Sequence, residues 1–234
     1  MKPGLFGVIL LPIFLTLLTA PCSAKDKLFV FFPSLVRPLS IQKSLSLQIP
    51  GADIRVFARL EDFQAMVQKE HPKAILAQPL VLRNLESYKQ ALQGTRKGEK
   101  SETCVLLSLD SAVNLSRMST AVIGVVSSME RDSLDSFVRR AVPNNPRIRR
   151  ANNMEDLLPM LIFRSISAAL VDEATVEEFR KKSKANLVST RLAGCAMEKV
   201  GFAILENEPD LALLRDIRKL KSGDLALLGV DAWK

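Results

Sequence analysis

Short apolar runs alternate along this chain with stretches of helical spacing. The run 27–33, Lys-Leu-Phe-Val-Phe-Phe-Pro, is apolar on both faces, as strands inside a parallel sheet are, and Ser34 is expected to open a helix. Asp53 to Ala58 alternates as a second strand, and Leu60, Phe63, Met66 and Val67 mark one face of the helix that follows. Ala74 to Gln78 closes a β-α-β-α-β unit, the rhythm of a doubly wound parallel sheet.

The rhythm then changes. Tyr88 to Gly98 carries a charged, Gly-containing turn ahead of the apolar run Cys104 to Leu109, and the pair is expected to be a hairpin or extended ladder. Helical alternation resumes with a strand over Ala121 to Val126 and a helix through Leu134, Phe137 and Val138. A short strand at Arg147 to Arg149 precedes a helix traced by Met154, Leu157, Leu158, Leu161 and Ile162, with cap candidates at Asn152 and Asn153. The strand Ile166 to Val171 stops at Asp172 and Glu173, and a helix runs on through Phe179.

The stretch Ala74 to Leu82, which ends its strand at Gln78 before Pro79, makes the same strand-turn-helix gesture about a hundred residues earlier. Two such turns predict two lobes facing one cleft. Crossings between lobes are expected at Cys104 to Leu109 and at Lys199 to Leu205, which gives lobes of 25–104 with 201–234, and of 105–200. A last helix over Asn207 to Lys221 and a closing segment, Leu225 to Trp233, return to the first lobe.

Residues 1–24 read as a secretory signal: Lys2, an apolar core of about 14 residues from Leu5 to Leu18, and small residues ahead of Lys25. The core is shorter than the roughly 20 residues of a membrane-spanning helix. An uncleaved anchor and a lipid at Cys22 are the alternatives, but Thr19 and Pro21 depart from the usual bacterial lipoprotein box. A periplasmic or otherwise exported, soluble protein of about 210 residues (234 less 24) is expected.

Composition is that of an ordinary globular α/β protein, 47% hydrophobic and 25% charged. The formal charge of +8 becomes +7 without Lys2, the single charge in the leader. Arginines gather at Arg139, Arg140, Arg147, Arg149 and Arg150, a docking face for anionic lipid or an acidic partner. With one Tyr and one Trp there is no aromatic interleaving, so no nucleic-acid partner is expected. Cys104 and Cys195 remain after the leader, either bridged in a disulfide-permissive compartment or two buried free thiols.

Catalytic readings lack residues. His71 is the single histidine and sits in a Glu70-His71-Pro72 turn, so a His/Cys metal site has no ligands. No Ser lies in a Gly-x-Ser-x-Gly turn, and Asp172 and Glu173 point to opposite sides of an extended chain. No enzyme, metal or cofactor is expected.

The order of elements resembles type 2 periplasmic solute-binding proteins, and within them the phosphate, phosphite and phosphonate-binding branch of ABC-transporter binding proteins. The resemblance rests on Leu60 to Pro79, on Ser111 to Ser119 and the strand after it, on Met154 to Phe179, and on Leu214 to Trp233 with its Leu228-Gly229-Val230-Asp231-Ala232-Trp233 tail. It implies an α/β, two-lobed fold in which each lobe is a mainly parallel sheet flanked by helices, joined by two crossing strands. In such folds ligands sit at the carboxyl edges of the sheets. That places candidate ligand contacts at Ser34, Gln78, Ser127, Ser128 and Asp172. The branch's Ser/Thr-rich helix start is reduced here to Ser127 and Ser128, with Glu130 and Asp132 following.

The resemblance implies a monomer that captures a small polar or anionic ligand for an inner-membrane ABC permease. The alternative is a binding-protein-like sensory or protein-interaction module that has lost transport.

Overall fold

The computed structural model describes residues 25–207 and 212–234. The leader, Cys22 and Leu211 lie outside the described residues. The elements are β1 (Asp26–Phe31), α1 (Pro38–Gln48), β2 (Ala52–Val56), α2 (Leu60–Glu70), β3 (Ala74–Ala77), α3 (Pro79–Leu82), β4 (Tyr88–Thr95) and β5 (Ser101–Leu109). They continue with β6 (Val122–Val126), α4 (Arg131–Ala141), β7 (Arg147–Ala151), α5 (Leu157–Ile162), β8 (Ala168–Asp172), α6 (Glu173–Lys182) and β9 (Leu187–Glu198). β10 (Gly201–Leu205), α7 (Ala212–Arg218), α8 (Ser222–Leu227) and β11 (Ala232–Trp233) complete the chain.

Two sheets form, in the orders β11-β4-β10-β3-β1-β2 and β7-β6-β8-β5-β9. They repeat one plan. In each, the first strand (β1, β6) is flanked by two parallel partners, and an antiparallel strand delivered from the other sheet's side of the chain comes next (β10, β5). Outside β10 lies β4 and outside β5 lies β9, and the chain crosses between the sheets from β4 to β5 and back from β9 to β10. The architecture is therefore the two-lobed α/β one, with a swapped strand in each lobe.

The apolar runs are continuous because both faces of each sheet are covered. On the first sheet Leu28, Val30 and Leu76 face one core, and Phe29, Phe31 and Ile75 face the other with Phe63. On the second sheet Leu106, Ile123 and Leu170 face one side, and Val105, Leu107 and Val171 the other. Phe31 stacks on Phe63 at 5.4 Å, and Phe57 meets Phe63 edge-on at 5.7 Å. At the amino edge of the first sheet Glu70 binds Lys27 at 2.7 Å and Arg55 at 2.6 Å. The Lys27 hydrogen bond, aided by Arg55 and opposed by burial, holds the Glu70 carboxyl below its ordinary range.

Several expectations change in the folded chain. The helix expected at Ser34 starts at Pro38, whose ring fits the first helical position, while Ser34 Oγ accepts from Val36 N at 3.0 Å in a local turn. The chain leaves the first sheet through the turn Arg96 to Lys100, so the expected crossing strand Cys104 to Leu109 lies wholly in the second sheet, with Cys104 opposite Asp172. It returns through Lys199 and Val200, and Gly201 to Leu205 is already first-sheet strand.

β9 had no counterpart in the sequence reading. It is an edge strand with mostly solvent-facing polar residues, so the apolar alternation that betrays a strand is weak. Among the described residues the expected helix Asn207 to Lys221 contains α7, and α8 begins ahead of the expected closing segment and overlaps it at 225–227; extended Lys221 separates the two helices.

Cys104 and Cys195 are bridged, with Cα atoms 5.3 Å apart. The bridge ties β5 to β9, where four residues, Leu192 to Cys195, stand opposite one in the ladder. Gly194 turns this bulge at φ 74°, a conformation costly for any side chain with a Cβ.

Candidate ligand-binding cleft

Parallel strands point their carboxyl ends one way, and the two crossings turn the carboxyl edges of both sheets towards each other. Pro33 and Gln78 follow β1 and β3 on the first side; Ser128 and Asp172 follow or end β6 and β8 on the other. All four line one cleft of about 360 Å³. The sequence-named residues Gln78, Ser128 and Asp172 are thereby brought together. Ser34 and Ser127 line a smaller adjoining cavity of about 90 Å³, and Ser34 shares a wider opening with Gln78 and Asp172.

Their local roles differ from simple capping, except at Asp172. Its Oδ1 accepts from Thr175 N at 2.8 Å and caps α6, while Oδ2 stands 3.6 Å from Lys199 Nζ. Ser127 and Ser128 cap nothing; α4 starts beyond them, with Glu130 at the cap position. Gln78 occupies the cap position of the four-residue α3 without a side-chain cap bond.

Lys199, which lines the wider opening of the cleft beside Asp172, is not among the residues named from sequence. It sits on the return crossing, 7% exposed, and pairs with Glu102 at 2.9 Å as well as with Asp172. A lysine in a polar-flanked connection carries no sequence signal of burial. The ion pair Arg83–Glu198, at 2.5 Å, crosses from the first lobe's α3 region to the end of β9. The β1–α1 loop also reaches across: Leu35 packs against the second lobe's core, and Lys182 Nζ donates to Leu35 O at 3.4 Å.

The far wall is apolar. Met129, Leu134 and Phe137 present one face of α4 and its approach to the cleft, and Leu170 and Met197 complete it. Arg140 lies one turn beyond Phe137; its Nε donates to Ser136 O of its own helix, and among the described residues it has no carboxylate partner.

The rest of the arginine cluster is spread out: Arg150 pairs with Asp135, Arg139 bonds Asn145, and Arg149 bonds Ser165 O. His71 ends α2 in a left-handed conformation and is solvent-exposed. Among the described residues no group of three or more His, Cys, Asp or Glu is arranged to hold a metal, and no helix is long and apolar enough to cross a membrane.

Fold and cleft together give the two-lobed α/β architecture seen in type 2 periplasmic binding proteins. No family model matches the chain, and no curated protein matches it. Solved structures do. The chain is similar, at a TM-score of 0.65 and 11% identity, to a binding protein component of an ABC phosphonate transporter from Pseudomonas aeruginosa, covering 89% of this chain and 80% of that one. An amino acid ABC transporter substrate-binding protein from Streptococcus pneumoniae, bound to L-arginine, superposes at 0.61 with 16% identity over 88% and 92% of the two chains. The VFT2 domain of BvgS from Bordetella pertussis does so at 0.59 with 14% identity, over 87% and 91%. The first two are binding proteins by name, and at these identities the likeness is one of fold.

Proposed function

We propose that this chain is an exported solute-binding protein that captures a small polar or anionic ligand between its lobes and passes it to an ABC-type permease. The observation that carries the reading is the cleft of about 360 Å³ in which the carboxyl edges of both sheets meet, Gln78 on one side and Ser128 with Asp172 on the other. The hinge is the pair of short connections at 96–100 and 199–200, and closure moves one lobe about them as a body. The residues that contact the ligand are Gln78, Ser128 and Asp172, with Ser34 and Ser127 at the adjoining cavity. The chain acts as a monomer, without a cofactor and without catalysis.

Thermal denaturation of the protein against a panel of anions, amino acids and other metabolites tests this. A ligand at 100 times its Kd stabilises by about 2.7 kcal/mol. No stabilisation by any compound at millimolar concentration overturns the reading.

A second reading, a sensory or protein-interaction module without transport, is favoured by the internal pairing of cleft charges: Arg83 with Glu198 and Asp172 with Lys199. Permease and ATPase genes beside this one support transport; a sensor-kinase gene, or no transporter gene, supports the module.

A further inference from the structure

We infer that the ligand is an amphipathic monocarboxylate: an apolar body bearing one carboxylate that pairs with Arg140. The inference rests on the cleft-capture reading and narrows it.

The charges lining the cleft are Arg83, Arg140, Asp172 and Glu198. Three are neutralised within the protein, Arg83 by Glu198 and Asp172 by Lys199. Arg140 is left as the surplus charge, so the cleft offers one cation to a ligand and no free carboxylate. A guanidinium or ammonium ligand would face Arg140 and find both lining carboxylates occupied. A phosphoryl dianion needs several converging donors. Next to Arg140 on its helix stands Phe137, and Leu134 and Met197 extend the lining; none of the three donates a hydrogen bond. Those side chains, with Leu170 behind them, instead suit a hydrocarbon body. Met129 and Met197 add an unbranched, polarizable lining that adapts to its shape. Arg140 stands on the same helix as Leu134 and Phe137, so head group and body are read from one rigid element.

The test uses calorimetric titration and thermal shift on protein purified after expression of the full chain. The probes are hexanoate, octanoate, 3-phenylpropionate and octanamide, with inorganic phosphate, methylphosphonate and L-arginine as alternatives. Saturable one-to-one binding of the carboxylates is expected, with affinity rising about fourfold for each methylene between hexanoate and octanoate. Octanamide is expected to bind at least tenfold more weakly than octanoate. Arg140→Gln, at an exposed position without a carboxylate partner among the described residues, is expected to abolish that preference while leaving the melting temperature of the free protein unchanged.

Binding of phosphate, methylphosphonate or L-arginine in preference to the carboxylates overturns the inference and leaves cleft capture standing. So does an octanoate preference that survives Arg140→Gln. Binding of no probe, together with no response to the wider metabolite panel, removes both.

Discussion

Replacing Cys104 and Cys195 together by Ala tests how much of the stability of this small-lobed protein comes from one covalent link. The bond joins residues 91 apart in sequence, and the chain-entropy model gives a loss of about 4.6 kcal/mol for opening a loop of that length. The delivered effect is expected to be smaller, about 2 to 4 kcal/mol, because β5 and β9 remain joined by their ladder and the denatured chain is already compact. For a domain of this size that lowers the melting temperature by roughly 10 °C.

Urea unfolding of the oxidised wild type and the double variant measures it. The variant's midpoint falls, and its m-value rises, because the uncrosslinked denatured chain exposes more surface. Wild type unfolded and refolded in dithiothreitol should superimpose on the variant. A variant within 0.5 kcal/mol of wild type, or two thiols titrating in the native oxidised protein, would refute the account.

Lys199→Met takes the cation from Asp172 and leaves Glu102 with Arg96 alone, at 3.3 Å, and a loss of about 1 to 3 kcal/mol is expected by chemical denaturation. This is below the figure for fully buried pairs because the two carboxylates keep 19% and 22% exposure. Gly124→Ala places a Cβ 2.4 Å from Ile166 Cδ1 and 3.1 Å from Leu157 Cδ2 inside the second core. An overpacking cost of about 1 to 3 kcal/mol should appear as a lowered melting temperature. Burial raises the Tyr88 hydroxyl to about 12, and it donates to Pro72 O at 2.7 Å. The folded state therefore holds this proton more tightly than the unfolded one, so the contribution is complete below about pH 10 and is lost as pH rises towards 12. Tyr88→Phe should lose less stability than wild type across that window; parallel pH profiles would count against it.

The pattern along the chain was enough for the layered α/β architecture, because buried parallel strands must be apolar on both faces and the helices between them on one. Ala74 to Ala77 and Ala168 to Val171 announced themselves in this way, and so did the turns that end them at Gln78 and Asp172. Since carboxyl edges are where parallel sheets leave room for ligands, three of the five residues named from sequence meet in one cleft. Tertiary structure decided what depends on partners distant in sequence. β9 exists because β5 gives its polar backbone a ladder, not because its side chains ask for one. Cys104 meets Cys195 only through the four-residue bulge that Gly194 permits. Among the described residues Lys199 is a buried, doubly paired cation, through carboxylates up to a hundred residues away in sequence, and Arg140 lines the cleft without a carboxylate partner. Local periodicity fixes which faces an element must bury, whereas the charge a cleft presents to a ligand is a remainder left after long-range pairing, and no local stretch of sequence contains it.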